Sequence, residues 1–207
     1  EKGCGKNQIS VAGNRKFPSD KDVDSRVDAT PLSFPPAIEE GRKQFFPESI
    51  VNFTGKGEFR DVVCAFISFK EPSSQEELNG FAGDILDKAN EHGGYFEGLN
   101  FGDKGGNCLV IFGAPTAYEN NIERALDFVS MMRNQYPDIR CGVTSGTVFA
   151  GLKGSKRRAI YGVIGDVVNL SARLMMKAER GDIWLDKTVH NNAKLIYKIK
   201  ANKSISL

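Results

Sequence analysis

The order in which strand-like and helix-like patterns follow one another between residues 60 and 150 constrains this chain more than any other feature. Asp61-Val62-Val63-Cys64-Ala65-Phe66-Ile67-Ser68-Phe69 is a near-continuous β-prone run, the pattern of a strand covered on one face and, by expectation, on both. Ser73-Ser74-Gln75-Glu76 then reads as a capping-box start, and Leu78, Phe81, Ile85, Leu86 and Ala89 recur at helical spacing until Gly93-Gly94. Two strand-like runs, 95–101 and 107–112, are joined by the glycine-rich segment 102–106 and predict an antiparallel hairpin. A second amphipathic helix is expected over 117–135, with Ile122, Ala125, Leu126, Val129 and Met132 on one face and Tyr136-Pro137 as its stop. A strand over 139–149 follows.

This succession predicts an α+β fold: a ferredoxin-like βαββαβ core, with an antiparallel sheet and helices on one face. Beyond it a strand over 159–164, a helix over 166–178, a short strand over 182–185 and a tail to Leu207 are expected. Residues 1 to about 45 are rich in Gly, Pro, Ser, Asp and Lys without an apolar period, and Pro31, Pro35 and Pro36 interrupt any element. The division expected is therefore an N-terminal extension or linker over 1–56 and one domain over 57–207, the latter C-terminally truncated. Gly3-Cys4-Gly5-Lys6 lacks the frame of a phosphate-binding loop and reads as linker. A formal charge of +2 on 207 residues gives no sign of a nucleic-acid partner, and no apolar run reaches membrane-span length. Cys4, Cys64, Cys108 and Cys141 are far apart, three of them inside apolar runs, as in buried free thiols; a cytoplasmic location is the expectation.

The chemistry-bearing stretch is Cys141-Gly142-Val143-Thr144-Ser145-Gly146-Thr147-Val148-Phe149-Ala150-Gly151, followed by Tyr161-Gly162-Val163-Ile164-Gly165-Asp166-Val167-Val168-Asn169-Leu170-Ser171-Ala172-Arg173-Leu174. It strongly resembles the class III adenylyl and guanylyl cyclases, whose glycine-patterned strand leads through a hairpin into V-x-G-x-x-V-N-x-A-x-R. The likeness reaches back to Gly57-Glu58-Phe59-Arg60 and forward to Gly181-Asp182-Ile183. Asn169 and Arg173 are four residues apart, so on a helix they project from one face and can address one ligand. An isolated Asn-x-x-x-Arg would more often be a cap and a surface ion pair; the surrounding motif reverses that reading. The resemblance implies that Asn169 orients the ribose and that Arg173 stabilises the pentacovalent phosphate, a task for which a guanidinium fork is suited.

The departures are equally informative. In the family an Asp on the first strand, in F-x-D, and another after the hairpin, in G-D-x-x-x-A-x-F, hold two divalent ions. Alignment puts Ser68 at the first position and Gly106 at the second; Asp103 imitates the Gly-Asp pair three residues early and reads as a turn residue. A hydroxyl does not replace a carboxylate in a magnesium site, so no metal ligand is expected in this chain. Mg2+ or Mn2+ would come only through a metal-bearing partner half, in the same chain or another. The nucleotide-binding positions for the base fall on Gly98 and Gly162, which leaves backbone recognition, weak specificity or a decayed site open. Phe101 and Ile164 flank the base position but read as core, and 153–158 reads as a solvated basic hairpin tip.

The loop Asp103-Lys104-Gly105-Gly106 with Phe112-Gly113-Ala114-Pro115 is similar to the second half of bicarbonate-responsive soluble cyclases, which favours ATP over GTP. A family Lys that contacts the terminal phosphates lies on a late turn beyond Leu207. The expectation is half of an adenylyl cyclase, inactive alone, that converts ATP to cyclic AMP and pyrophosphate at a dimer interface. Two alternatives remain: a degenerate nucleotide-sensing regulatory module, and a purely structural partner.

Overall fold

The apolar run after Arg60 forms β1, Glu58–Phe69, and every other strand of the sheet is placed by its pairing with it or with its neighbours. The structure is a computed structural model that describes residues 46–51, 53, 57–102, 105–155 and 159–197. In chain order the described elements are α1 (Glu48–Val51), β1, α2 (Gln75–Glu91), β2 (Gly94–Gly102), β3 (Gly105–Phe112), α3 (Asn121–Gln135), β4 (Arg140–Gly154), β5 (Ala159–Ile164), α4 (Asp166–Lys177), β6 (Ile183–Leu185) and α5 (Lys187–Ala193).

The strand order β2-β3-β1-β4-β5 is antiparallel throughout, and β6 adds in parallel to the start of β4. Side-chain alternation divides β1 between two cores. Val63, Ala65, Ile67 and Phe69 face α2, α3 and α5 and pack with Phe81, Ile85, Leu126, Phe128, Val129, Met132 and Val189. Val62 and Cys64 face the other way, into a second core with Leu109, Ile111, Val148, Ala150, Tyr161 and Val163. The two helices of the βαββαβ core thus lie on one face, as expected, while the later helix α4 covers the opposite face. Tyr95 on β2 and Tyr161 on β5 meet over that second core with ring centroids 5.4 Å apart, so the two ends of the strand order curl toward each other.

Several boundaries differ from the sequence expectation for local reasons. The cap of α2 is Ser74, whose hydroxyl accepts from Glu77 N; the reciprocal carboxylate is Glu77, which accepts from Ser73 N and Oγ, one residue later than the expected box. The helix ends where Gly93 takes φ +72°, a conformation that a side chain disfavours. α3 begins at Asn121 rather than 117, because residues 117–120 form a turn in which Tyr118 N donates to Asn121 Oδ1. β4 runs to Gly154, five residues beyond the expected end, because its second half pairs with β5. The helix α5 lies in the stretch expected as tail: Asp186 caps it by accepting from Val189 N through Oδ1, while its Oδ2 accepts from Ser145 N on β4. The segment 3–6 read as linker, with Asp103, Lys104 and 156–158, lies outside the described residues.

Candidate functional site

The glycines of the 141–151 motif set how closely α4 approaches the sheet. A Cβ on Gly142 would lie 2.0 Å from Ser171 O and 2.6 Å from Met175 N, and one on Gly146 would lie 2.8 Å from Val167 Cγ2. Only bare backbone lets the helix sit there, and Thr144 Oγ1 ties it down by donating to Val167 O at 2.8 Å. Ser171, Leu174 and Met175 are the buried side of α4. Asp166, Asn169, Arg173, Met176 and Lys177 are exposed on its outer side. Asn169 and Arg173, both singled out by sequence, therefore stand one turn apart on a solvent-facing stripe. Neither makes a hydrogen bond or an ion pair with a described residue.

Of the two expected metal positions at one end of the sheet, only Ser68 lies on the α4 face. Ser68 is 4% exposed and stands in register between Asn107 on β3 and Arg140 on β4. Gly106 faces the opposite core: a Cβ there would enter the Phe69 ring at 2.1 Å. The cross-strand neighbour of Ser68 on the α4 face is therefore Asn107. Arg140 Nη1 donates to Met176 O and Ala178 O at the C-terminal end of α4, 3.4 Å each, and Arg180 Nη1 donates to Ser68 O at 3.5 Å and to Asp138 O at 3.2 Å. Serine, asparagine and arginine supply no carboxylate, and no group of three or more His, Cys, Asp or Glu suited to a metal occurs among the described residues. Mg2+ or Mn2+ does not fit this donor set.

Of the expected base positions, Gly98 faces open space, and it is its neighbour Glu97 that reaches Gly162. Gly98, with φ +150°, follows a bulge in which β2 gains a residue between Phe96 and Gly98 relative to β3. The residue at the bulge, Glu97, reaches across to β4 and pairs with Lys153 Nζ at 2.7 Å. That pair lies against Gly162: a Cβ there would sit 2.2 Å from Glu97 Oε1 and 2.5 Å from Lys153 Nζ. Both side chains of the pair are about three-quarters buried. Lys153 is thus a partly buried ion-pair member rather than part of a solvated tip. Beside it, Tyr95 Oη donates to Tyr161 O at 3.3 Å, and a cavity of about 500 Å³ opens between Glu97, Tyr95, Tyr161, Ile160, Leu86 and Phe46. Burial, then Glu97, pushes the Tyr95 phenol up to about 12. Phe101 and Ile164, read from sequence as core, are 50% and 59% exposed. Phe101 meets Phe69 edge-on at 5.9 Å, and Ile164 is the register partner of the half-exposed Phe149.

Sequence reasoning found Asn169, Arg173, Ser68, Gly98 and Gly162, but not Glu97, Lys153, Asn107, Arg140 or Arg180. The one available signal was a lone carboxylate, Glu97, within the otherwise uncharged run 95–102. Among the described residues, no hydrogen bond or ion pair connects the Asn169–Arg173 stripe to the pair over Gly162.

An α+β sheet with a glycine-seated helix presenting Asn169 and Arg173 is similar to the arrangement expected of a class III nucleotide cyclase domain. Residues 106–207 match the model of the adenylate and guanylate cyclase catalytic domain. Among curated proteins, adenylate cyclase type 10 of Oryctolagus cuniculus is 36% identical over 101 residues, 45% of this chain and 6% of that protein. Adenylate cyclase type 10 of Homo sapiens is 28% identical over 181 residues, 77% of this chain and 11% of that protein. The chain thus spans about a tenth or less of the length of these relatives. Among solved structures, the adenylyl cyclase CyaB from P. aeruginosa superposes with a TM-score of 0.60 at 21% identity, covering 69% of this chain and 84% of that one. The guanylate cyclase domain of RhGC from Catenaria anguillulae superposes with a TM-score of 0.58 at 22% identity, covering 66% and 84%. These two likenesses concern the fold. No helix among the described residues is long and apolar enough to cross a membrane.

Proposed function

We propose that this chain is one half of an adenylyl cyclase, which contributes Asn169 and Arg173 to a site shared with a second, metal-bearing half. The observation that carries this reading is the state of the α4 stripe. Two side chains suited to a ribose and a phosphate stand exposed and without a partner among the described residues, on a helix seated so closely that its position is fixed by backbone contact. A surface Asn and Arg with only a structural role would be expected to cap or pair locally. The ATP preference rests on the likeness to adenylate cyclase type 10.

The reaction is an internal phosphoryl transfer: the ribose 3′-oxygen attacks the α-phosphorus, its bond to the bridging oxygen breaks, and pyrophosphate leaves. Asn169 would orient the ribose through its carboxamide, and the Arg173 guanidinium would face the charge that develops on the α-phosphate oxygens. Divalent ions would be held by carboxylates of the partner half, since Ser68 and Asn107 supply none. A cytoplasmic setting accords with this use of ATP.

A second reading has its own support. The Glu97–Lys153 pair covers Gly162 and fills the space where a residue-162 side chain would contact a base. A regulatory module that retains the fold without turnover would look the same there. The experiment is cyclic AMP production from ATP with Mn2+ or Mg2+, comparing this chain, the chain mixed with a metal-bearing cyclase half, and the same mixture with Arg173→Ala. Activity only in the mixture, reduced about 100- to 1,000-fold in kcat by Arg173→Ala, supports a catalytic half. Undiminished activity in the variant overturns it and leaves the regulatory or structural role.

A further inference from the structure

Three adjacent strands place Asn107, Ser68 and Arg140 side by side on the α4 face, in register at strand spacings of about 4.8 Å. The row consists of hydrogen-bond donors, of which Arg140 already gives one nitrogen to the carbonyls of Met176 and Ala178. Arg140 Nε is buried without a partner, while the Ser68 hydroxyl and the Asn107 carboxamide, which hydrogen-bond no described residue, keep some access to solvent. Arg180, exposed at the rim, sends one nitrogen to Ser68 O. Both arginines bond only backbone carbonyls, and no described carboxylate neutralises either. Burial, and secondarily Arg180, pulls the Arg140 guanidinium below its ordinary pKa, as expected of two cations crowded without a counter-ion.

An uncompensated buried donor is costly, and two neighbouring guanidiniums repel. One ligand chemistry relieves both: a small oxyanion, whose oxygens accept from a guanidinium fork, a hydroxyl and an amide together. We propose that the row Asn107–Ser68–Arg140, with Arg180 at its rim, binds a small oxyanion, a phosphoryl group or a carboxylate, at the place where the family resemblance would put a divalent cation. The charge of the position is inverted. The inference does not depend on catalysis by Arg173: it concerns a different end of α4 and holds equally for a regulatory module.

The test is binding to the intact chain, followed by the backbone amide signals of Ser68 and Asn107 in nuclear magnetic resonance, with inorganic phosphate, sodium acetate and Mn2+ as three separate probes. Saturable shifts at both amides with phosphate or acetate are expected, the tighter of the two identifying the phosphoryl or the carboxylate source. Arg180→Gln, an exposed change that leaves the sheet intact, is expected to weaken the binding about tenfold. Ser68→Asp places a carboxylate between the donors and is expected to abolish it; Ser68→Ala serves as the smaller change if the first variant does not fold. Absence of saturable shifts with both anions overturns the proposal, as does binding unchanged by Arg180→Gln. Selective broadening of Ser68 and Asn107 by Mn2+ in the unaltered chain overturns it as well. Because no turnover is measured, these outcomes are separable from those of the cyclic AMP assay.

Discussion

Cys64, Cys108 and Cys141 lie on the three central strands of the sheet, each with no exposed surface, and burial governs their chemistry. Burial first, and Glu97 second, pushes the Cys64 thiol up to about 12, and burial also raises the Cys108 and Cys141 thiols well above their ordinary value. The thiolate is the reactive species, so all three are expected to resist an alkylating reagent at pH 8 in the folded chain and to react together in denaturant. Peptide mass mapping after each treatment checks this, and rapid native labelling at any of the three would contradict the packing described. Glu97 illustrates what a residue list misses. Its importance arises from a bulge that turns it toward Lys153, 56 positions away in sequence.

At the scale of elements, the seat of α4 and the surface of α2 give the same substitution opposite signs. Gly142→Ala drives a methyl against Ser171 O, and the helix has to retreat with Asn169 and Arg173 on it; a loss of about 3 kcal/mol is expected. Gly80→Ala, inside α2 with open space around the added methyl, is expected to stabilise by about 0.5–1 kcal/mol through helix propensity. Urea denaturation of both variants measures the contrast, and equal effects would mean that α4 is not seated as described. Asp186→Ala removes both the cap of α5 and the acceptor for Ser145 N, with an expected loss of about 1–2 kcal/mol in the same assay.

These elements also show where sequence reading stops. α2, α3 and α4 were legible because their apolar stripes repeat over three or more turns, and Asn169 and Arg173 because a long motif frames them. α5 was not, since seven residues carry too little periodicity and its stability comes from a cap that also bonds β4. The row at Ser68 needs the register of three strands, and Arg180 enters it from a loop. Alignment identified Gly106 as the second lost ligand position, but the pleat turns that residue toward Phe69, which only the pairing reveals.

Across the molecule, tyrosines fasten parts distant in sequence, and this makes stability sensitive to alkali. Tyr95 joins β2 to β5 through Tyr161, Tyr136 at the end of α3 donates to Asp84 on α2, and Tyr197 donates to Asp127 on α3 at 2.7 Å beyond α5. Burial raises each phenol above the ordinary value of 10.0, to about 12 for Tyr95 and Tyr136, with Glu97 adding to the first and Asp84 to the second. Tyr161 and Tyr197 shift in the same direction, led again by burial. Between about pH 10 and 12 the unfolded chain releases phenolic protons that the folded chain retains, so the folded state binds more protons there and loses stability as pH rises. Below about pH 9 these groups are protonated in both states and contribute no pH dependence. The thermal midpoint is therefore expected to be level from about pH 8 to 9 and to fall between about pH 10 and 12. Lysines lose charge over the same range, so the decisive comparison is with Tyr95→Phe and Tyr136→Phe. Each should flatten the fall, because its phenol no longer titrates in either state. Unchanged slopes, or native-state phenol absorbance titrating near the ordinary value, would show that these tyrosines do not hold the ends of the fold together.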